Sequence, residues 1–391
     1  MKNRSLLMIP GPIEFEPAVL AAMGAPTTSH LAPEFVEAFG QALGKMRQVF
    51  LCPDGQPIVL AGTGTLAMDS AGANMVEPGD RVLVLNTGYF GDRYGALLER
   101  YGAVVTHLRA DPGDRPTLDE VESELRQGGY KLVTITHVDT STGVLADVKE
   151  LAGLARKYGA LSVVDGVCSV AGEELAMSDW GVDVAFTASQ KAIGVPPGLA
   201  LLMVGPRAME AFKKRKTLVS NYYADWTNWL PIMQAYEARK NSYFGTPAVN
   251  LVFALNVSLD QILAEGMSAR IARHEALSQA MKAAVGALGL GQVPVRPEVA
   301  AHTMTAPRYP KNVNGADFQS YVSASGVILA GGLLPAIRTE YFRIGHMGSA
   351  NLGDILATTG AIEAALEKCG FAFTPGAGVA AARRVVSAQA I

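Results

Sequence analysis

Along this chain, short apolar runs rich in β-branched residues alternate with longer stretches of helical period. The apolar runs sit near Ile58–Leu60, Arg81–Leu85, Val104–Leu108, Leu132–Thr136, Leu161–Val164, Val184–Thr187 and Leu199–Val204. Runs of this length and residue type predict strands. The intervening patterns predict helices over Pro33–Phe50, Leu66–Met75, Arg93–Tyr101, Leu118–Gln127 and Asp147–Lys157. Such alternation predicts an α/β layer fold with a mostly parallel sheet.

The pattern changes near Asn250. A long helical stretch, Val249 to Leu288, carries Gly266 inside it, and a mixed segment follows: Thr303–Ala306, Asp317–Ser325, Val327–Leu329 and Tyr341–Ile344. This predicts a large domain over 16–255 and a smaller α+β domain over 256–374. Residues 1–15 form a separate N-terminal segment. The tail, 375–391, is rich in Gly and Ala and is expected to be loosely held. No internal repeat is evident.

Composition narrows the function classes. The chain has 391 residues, 49% of them hydrophobic and 18% charged, which argues for a sizeable core rather than disorder. A net charge of −3 gives no electrostatic case for nucleic acid or an anionic membrane. The least charged stretch, Ala192 to Gly205, is too short to span a bilayer and is broken by Pro196 and Pro197. Met1–Pro10 superficially resembles a signal start, but its apolar run is too short. The three cysteines, Cys52, Cys168 and Cys369, fit neither a disulfide framework nor a zinc site. A reducing, cytoplasmic setting is expected, with no metal.

The candidate chemistry sits at strand ends. Lys191 lies between two apolar strands, in Thr187-Ala-Ser-Gln-Lys191-Ala-Ile-Gly-Val-Pro-Pro-Gly198. Lysine is rarely buried without a partner or a task, and one such task is an imine to a carbonyl cofactor. Asp165 closes the strand Leu161-Ser-Val-Val-Asp165, 26 residues upstream. An amine for an aldehyde carbon and a carboxylate for a ring nitrogen are the two groups a pyridinium cofactor needs. Taken singly, each is equally readable as a surface lysine or a helix-capping aspartate.

Gly62-Thr-Gly64-Thr-Leu-Ala67 follows a strand and opens a helix, fitting the dinucleotide fingerprint G-x-G-x-x-G/A. A nicotinamide-dependent dehydrogenase would also need an acidic residue at the end of the next strand, where Asn86 stands. The other reading is a phosphate cradle: N–H groups of Gly64 and Thr65 at a helix N-terminus, with the Thr63 and Thr65 hydroxyls. A plain tight turn is the third. His137-Val-Asp-Thr140-Ser-Thr-Gly143 follows another strand, at the edge where open α/β sheets bind ligands. Tyr89 and Phe90 follow a further one; either packs in the core or stacks on a flat ring.

Together these motifs resemble the class V, fold-type I pyridoxal-phosphate aminotransferases, in particular the alanine–glyoxylate and serine–glyoxylate group. The resemblance runs from about Met8 to Phe373. Its carriers are Ile9–Pro12, Ala61–Thr65, Phe90–Arg93, Thr136–Gly143, Val163–Ser169, Ser189–Lys191, Tyr243–Pro247 and Phe342–Gly348. The resemblance implies a three-layer α/β/α large domain with a seven-stranded, mostly parallel sheet. It implies pyridoxal 5'-phosphate bound as an imine to Lys191, with Asp165 on the ring nitrogen and Thr140 near the ring hydroxyl. It places Phe90 on the ring face, where many relatives have tryptophan, and Thr63, Gly64, Thr65 and Gln190 on the phosphate.

Tyr243 and Thr246 are implied to reach the phosphate of a partner subunit's cofactor, which makes a homodimer with shared sites. Arg343 grips the substrate carboxylate, and the Pro10-Gly11-Pro12 segment lines the substrate pocket. The implied reaction moves an amino group from alanine or serine to glyoxylate. Aminotransferases of 2-aminoethylphosphonate or ureidoglycine are the near rivals. A cysteine desulfurase of the same fold would need a mobile cysteine, and Ser323–Gly332 has none.

Overall fold

The computed structural model describes residues 4–389. All seven predicted strands form and assemble into one sheet. They are β1 (Gln56–Gly62), β2 (Arg81–Asn86), β3 (Val104–Arg109), β4 (Tyr130–Thr136), β5 (Leu161–Asp165), β6 (Val184–Ala188) and β7 (Gly198–Val204). Their order across the sheet is β1-β7-β6-β5-β4-β2-β3. β7 runs antiparallel to both neighbours, and the remaining pairs are parallel. Strands buried on both faces read as near-continuous apolar runs, as β5, β6 and most of β7 do. With the helices packed on it, this is the expected three-layer α/β/α architecture.

Register brings the functional ends together. Asp165 at the end of β5 pairs with Thr136 of β4 and Phe186 of β6. The loops after β4, β5 and β6 therefore open on one edge of the sheet.

Gly266 divides what the pattern shows as a single helical stretch. Its φ of 82° lies in the left-handed region, so the chain turns there between the helices Val249–Glu265 and Met267–Ala287. Leu255, Leu259 and Ile262 pack into the core around the sheet, whereas Leu277, Met281 and Val285 belong to a second core. Position 256 of the expected boundary thus falls inside the helix Val249–Glu265, whose buried apolar side chains belong to the first core, and that core also takes in Val293, Ala301, Met304, Tyr341 and Met347 from later in the chain. The second core is closed by the helices Gly315–Ala324 and Leu352–Lys368 and by Phe342 and Ile344 of the strand Phe342–Gly345, the middle strand of a three-stranded antiparallel sheet with Met304–Thr305 and Ala330–Gly331.

The tail departs from its expected looseness. Ala377–Gln389 is a helix that packs on Met267–Ala287 and buries Ala381 and Ala382. The Glu363 carboxylate accepts from the N–H groups of Gly376, Gly378 and Val379, which tethers the start of that helix. Alanine is the strongest helix former, so Ala-rich composition favours this helix once it has a surface to dock on. Residues 390 and 391 of the expected tail lie outside the described part.

The N-terminal segment links the two cores. Leu6–Leu7 pairs in parallel with Val327–Ile328, and Met8 is buried in the second core. Ile13 is buried in the first. Pro10 and Gly11, between them, are held across the sheet edge.

Candidate active site

A cavity of about 220 Å³ opens at that edge, lined by Gly11, Thr63, Gly64, Thr65, Phe90, Thr140, Asp165, Gln190 and Lys191. All nine are sequence-predicted positions. Met68, Arg93, Val138 and Val167 complete the wall. Tyr243 and Thr246 do not line it; both are solvent-exposed, Tyr243 against His30 with ring centroids 5.3 Å apart. Arg343 stands at its border. It donates through Nη1 to the Thr140 carbonyl (3.0 Å) and through Nε to that of Gly331 (2.8 Å).

Lys191 lies in the connection between β6 and β7. Burial pushes its amine below the usual lysine range, and Arg343 adds to the shift, while Cys168 and Asp165 oppose it. The Nζ donates to the Pro10 carbonyl. The connection is braced by Ser189, whose hydroxyl donates to the Pro196 carbonyl (2.8 Å) and accepts from the Leu199 N–H (3.2 Å). Gly194 N–H closes a turn on the Lys191 carbonyl at 2.8 Å.

Asp165 is 3% exposed, and Val167 N–H (3.0 Å) is the one hydrogen-bond donor to its carboxylate among the described residues. Its pKa is raised from 3.8 to about 7, chiefly by burial and also by Asp139, against Val167, Lys191 and Arg93. A cation placed in the cavity would therefore stabilise the charged form of Asp165.

The helix Gly64–Met75 points its N-terminus into the cavity. Its N-cap, Thr63, makes no side-chain cap. A Cβ on Gly64 would lie 3.0 Å from Val167 and 3.2 Å from Ala188, so glycine lets the helix start close against the sheet. Gln190 Oε1 is buried there without a partner. The positive helix end and the threonine hydroxyls make a cradle suited to an anion; the Gln190 oxygen, an acceptor, is left for a donor.

Phe90 is held from across the site. The helix Tyr89–Arg100 begins at Gly88, which supplies no cap of its own. Asp139 Oδ2 accepts from Phe90 N–H (3.2 Å), and Ser141 Oγ accepts from Tyr89 N–H (3.0 Å). Ser141 in turn donates to Asp139 Oδ1 at 2.6 Å. A Cβ on Gly88 would fall 2.4 Å from Ser141 Oγ and 2.8 Å from the Asp139 carboxylate. Sequence reasoning left Asp139 and Arg93 without roles, though a signal existed for each. Asp139 sits inside the motif that supplies Thr140. Arg93 lies three positions after Phe90 and so on the same helix face.

The dinucleotide reading fails in the structure too. Asn86 at the end of β2 donates to Asp92 (2.9 Å) and accepts from Gly88 N–H (3.1 Å), an internal brace of the turn. No group of three or more metal-ligating side chains occurs among the described residues. No described helix is long and apolar enough to cross a membrane.

The sequence matches the aminotransferase class-V family over residues 18–347. The chain is a class V aminotransferase. It is 40% identical over 360 residues to alanine–glyoxylate aminotransferase 1 of Saccharomyces cerevisiae, a match covering 89% of this chain and 93% of that one. It is 32% identical over 386 residues to serine–glyoxylate aminotransferase of Arabidopsis thaliana, across 97% and 94% of the two chains. The crystal structure of ureidoglycine–glyoxylate aminotransferase from Bacillus subtilis is similar over 99% of both chains, with a TM-score of 0.92 at 26% identity. Class V aminotransferases depend on pyridoxal phosphate, and the cavity fits that group. It offers this aminotransferase a buried amine, a carboxylate awaiting a cation, and a helix N-terminus with threonine hydroxyls for the phosphate.

Proposed function

We propose that this aminotransferase uses pyridoxal 5'-phosphate to move the amino group of a small L-amino acid, alanine foremost, to glyoxylate. The products are glycine and a 2-oxo acid, formed in two half-reactions on one site. The observation that carries the reading is the pairing in one cavity of a buried Lys191 amine with a buried, charge-starved Asp165. The glyoxylate assignment is supported by the names of the relatives, and alanine by the 40% identity of the yeast protein.

When bound, the cofactor supplies a conjugated ring that takes up the electron pair left as the donor Cα–H bond breaks. Lys191 would bond the cofactor aldehyde and, once released, take up the Cα proton on Nζ; burial lowers its pKa and so favours the neutral amine a base requires. Asp165 holds the ring nitrogen protonated. Thr63, Gly64, Thr65 and Gln190 hold the phosphate, Thr140 the ring hydroxyl, and Phe90 covers the ring. Arg343, steadied by two carbonyls, orients the substrate carboxylate, and Gly11 closes the substrate side.

Tyr243 and Thr246 act in this reading on the partner subunit's cofactor. Their own cavity does not use them. Leu218, Tyr222 and Tyr243, all in one stretch of chain, are exposed. Apolar residues gathered this way fit a face covered by a second copy.

The test is spectroscopic and then kinetic. Purified protein is expected to show a visible imine band that L-alanine bleaches and glyoxylate restores. Lys191→Ala is expected to lose the band and to slow turnover at least about 10³-fold. A variant retaining wild-type rate sinks the assignment. A panel of alanine, serine, aspartate, ureidoglycine and aminoethylphosphonate against glyoxylate and pyruvate decides the substrates; faster turnover of ureidoglycine than of alanine would replace the donor proposed here.

A further inference from the structure

Arg93 is the charged residue of the cavity to which the reaction gives no task. It sits in the first turns of the helix Tyr89–Arg100, one turn beyond Phe90, and shares the cavity wall with Thr63, Gly64 and Thr65. Its Nη2 donates to Thr65 Oγ1 at 2.9 Å. No carboxylate lies within ion-pair distance of it among the described residues, and nearby ones are engaged elsewhere. Asp92 pairs with Arg109. Asp69 accepts from Tyr101 (2.7 Å) and Asn221 (2.7 Å).

The hydrogen bond has a direction that matters. A threonine hydroxyl has one proton and two acceptor positions. Arg93 occupies an acceptor position of Thr65, so the Thr65 proton is left to donate to a different acceptor. The helix N-terminus and the Thr63 hydroxyl add donors in the same place, and no anionic side chain balances them. An arginine held there presents a planar fork of donors with a permanent charge, the group best matched to a phosphate monoester. Its anchorage is indirect but firm: Asp139 and Ser141 fix the end of the helix that carries it.

We propose that Arg93 is a positioning residue for the cofactor phosphate, supplying the counter-charge of the cradle and directing the Thr65 hydroxyl toward the anion. This rests on the pyridoxal phosphate assignment above. It makes the phosphorylated form of the cofactor, rather than the ring, the part that Arg93 recognises.

The test compares two aldehydes on cofactor-free protein: pyridoxal 5'-phosphate and pyridoxal. Affinity is read from the imine absorbance at Lys191, with no turnover required. Arg93→Met is expected to weaken the phosphorylated aldehyde about 10- to 100-fold and pyridoxal less than about 3-fold. Arg93→Lys, which keeps the charge but loses the fork, is expected between the two, and it carries the test should the methionine variant fold poorly. Inorganic phosphate is expected to compete with the phosphorylated aldehyde less well on either variant. An equal loss for both aldehydes, or none for either, overturns the role of Arg93. If the wild-type protein forms no imine with either aldehyde, the cofactor assignment falls instead, and the role of Arg93 with it.

Discussion

Gly11 and Lys191 occupy space that only one of them can fill with a side chain. A Cβ built on Gly11 would lie 2.5 Å from Lys191 Cδ, 2.8 Å from Cε and 2.9 Å from Nζ. The backbone at Gly11 has a φ of 105°, a conformation that L side chains rarely adopt. The N-terminal segment thus passes over the reactive amine as bare backbone, with the Pro10 carbonyl as its hydrogen-bond partner.

Gly11→Ala is accordingly expected to displace Lys191. A misplacement of this size at a reacting group costs on the order of 10²-fold in rate. The loss should appear in the single-turnover rate of the alanine half-reaction. Wild-type rates in that variant would show that the segment is not held against the lysine during catalysis.

Asp165 links the site to stability through pH. Its folded-state pKa of about 7 lies above the ordinary 3.8. Between those values the folded chain binds a proton that the unfolded chain does not. The stability of the cofactor-free protein therefore falls as pH rises from about 4 to 7 and levels off above. Asp165→Asn removes this dependence. Near pH 4 the two proteins should melt alike with respect to this group; above pH 7 the variant should be more stable, by at most about 4 kcal/mol. The same variant should be nearly inactive, because asparagine cannot keep a ring nitrogen protonated. Thermal unfolding against pH, without cofactor, checks the first half. A difference constant from pH 4 to 8 would contradict it.

Arg343 spends two donors on backbone carbonyls and keeps its charge at the border of the cavity. Arg343→Lys preserves the charge but loses the fork, so the donor KM should rise by about 10- to 100-fold. The imine band without substrate should be unchanged, because the cradle and Lys191 are not touched. A variant with altered cofactor absorbance and an unchanged KM would move Arg343 from the substrate to the cofactor.

Much of the site was legible because its residues fall at strand ends. Asp165 and Lys191 announce themselves as polar residues closing or joining apolar runs, and the helix start at Gly64 has a glycine signature. Patterns that depend on distant partners were not legible. The helix Trp226–Glu237 contains Pro231 and buries Trp226 and Trp229, so its local propensity argues against it and packing decides. The tail helix needed the surface of Met267–Ala287. The turn at Gly266 hid inside a continuous apolar period, where only a positive φ marks it. The work of Asp139 depends on a helix some 50 residues earlier, a separation at which periodicity is silent.

The antiparallel return of β7 carries a consequence for how the lysine moves. Lys191 hangs from a short connection whose two ends are both woven into the central sheet, with Ser189 stitching its entry to its exit. Such a tether shares the slow hydrogen exchange of the sheet rather than the fast opening of a surface loop. The amine must then travel between its stations by rotation about its own side-chain bonds, while its Cα stays still.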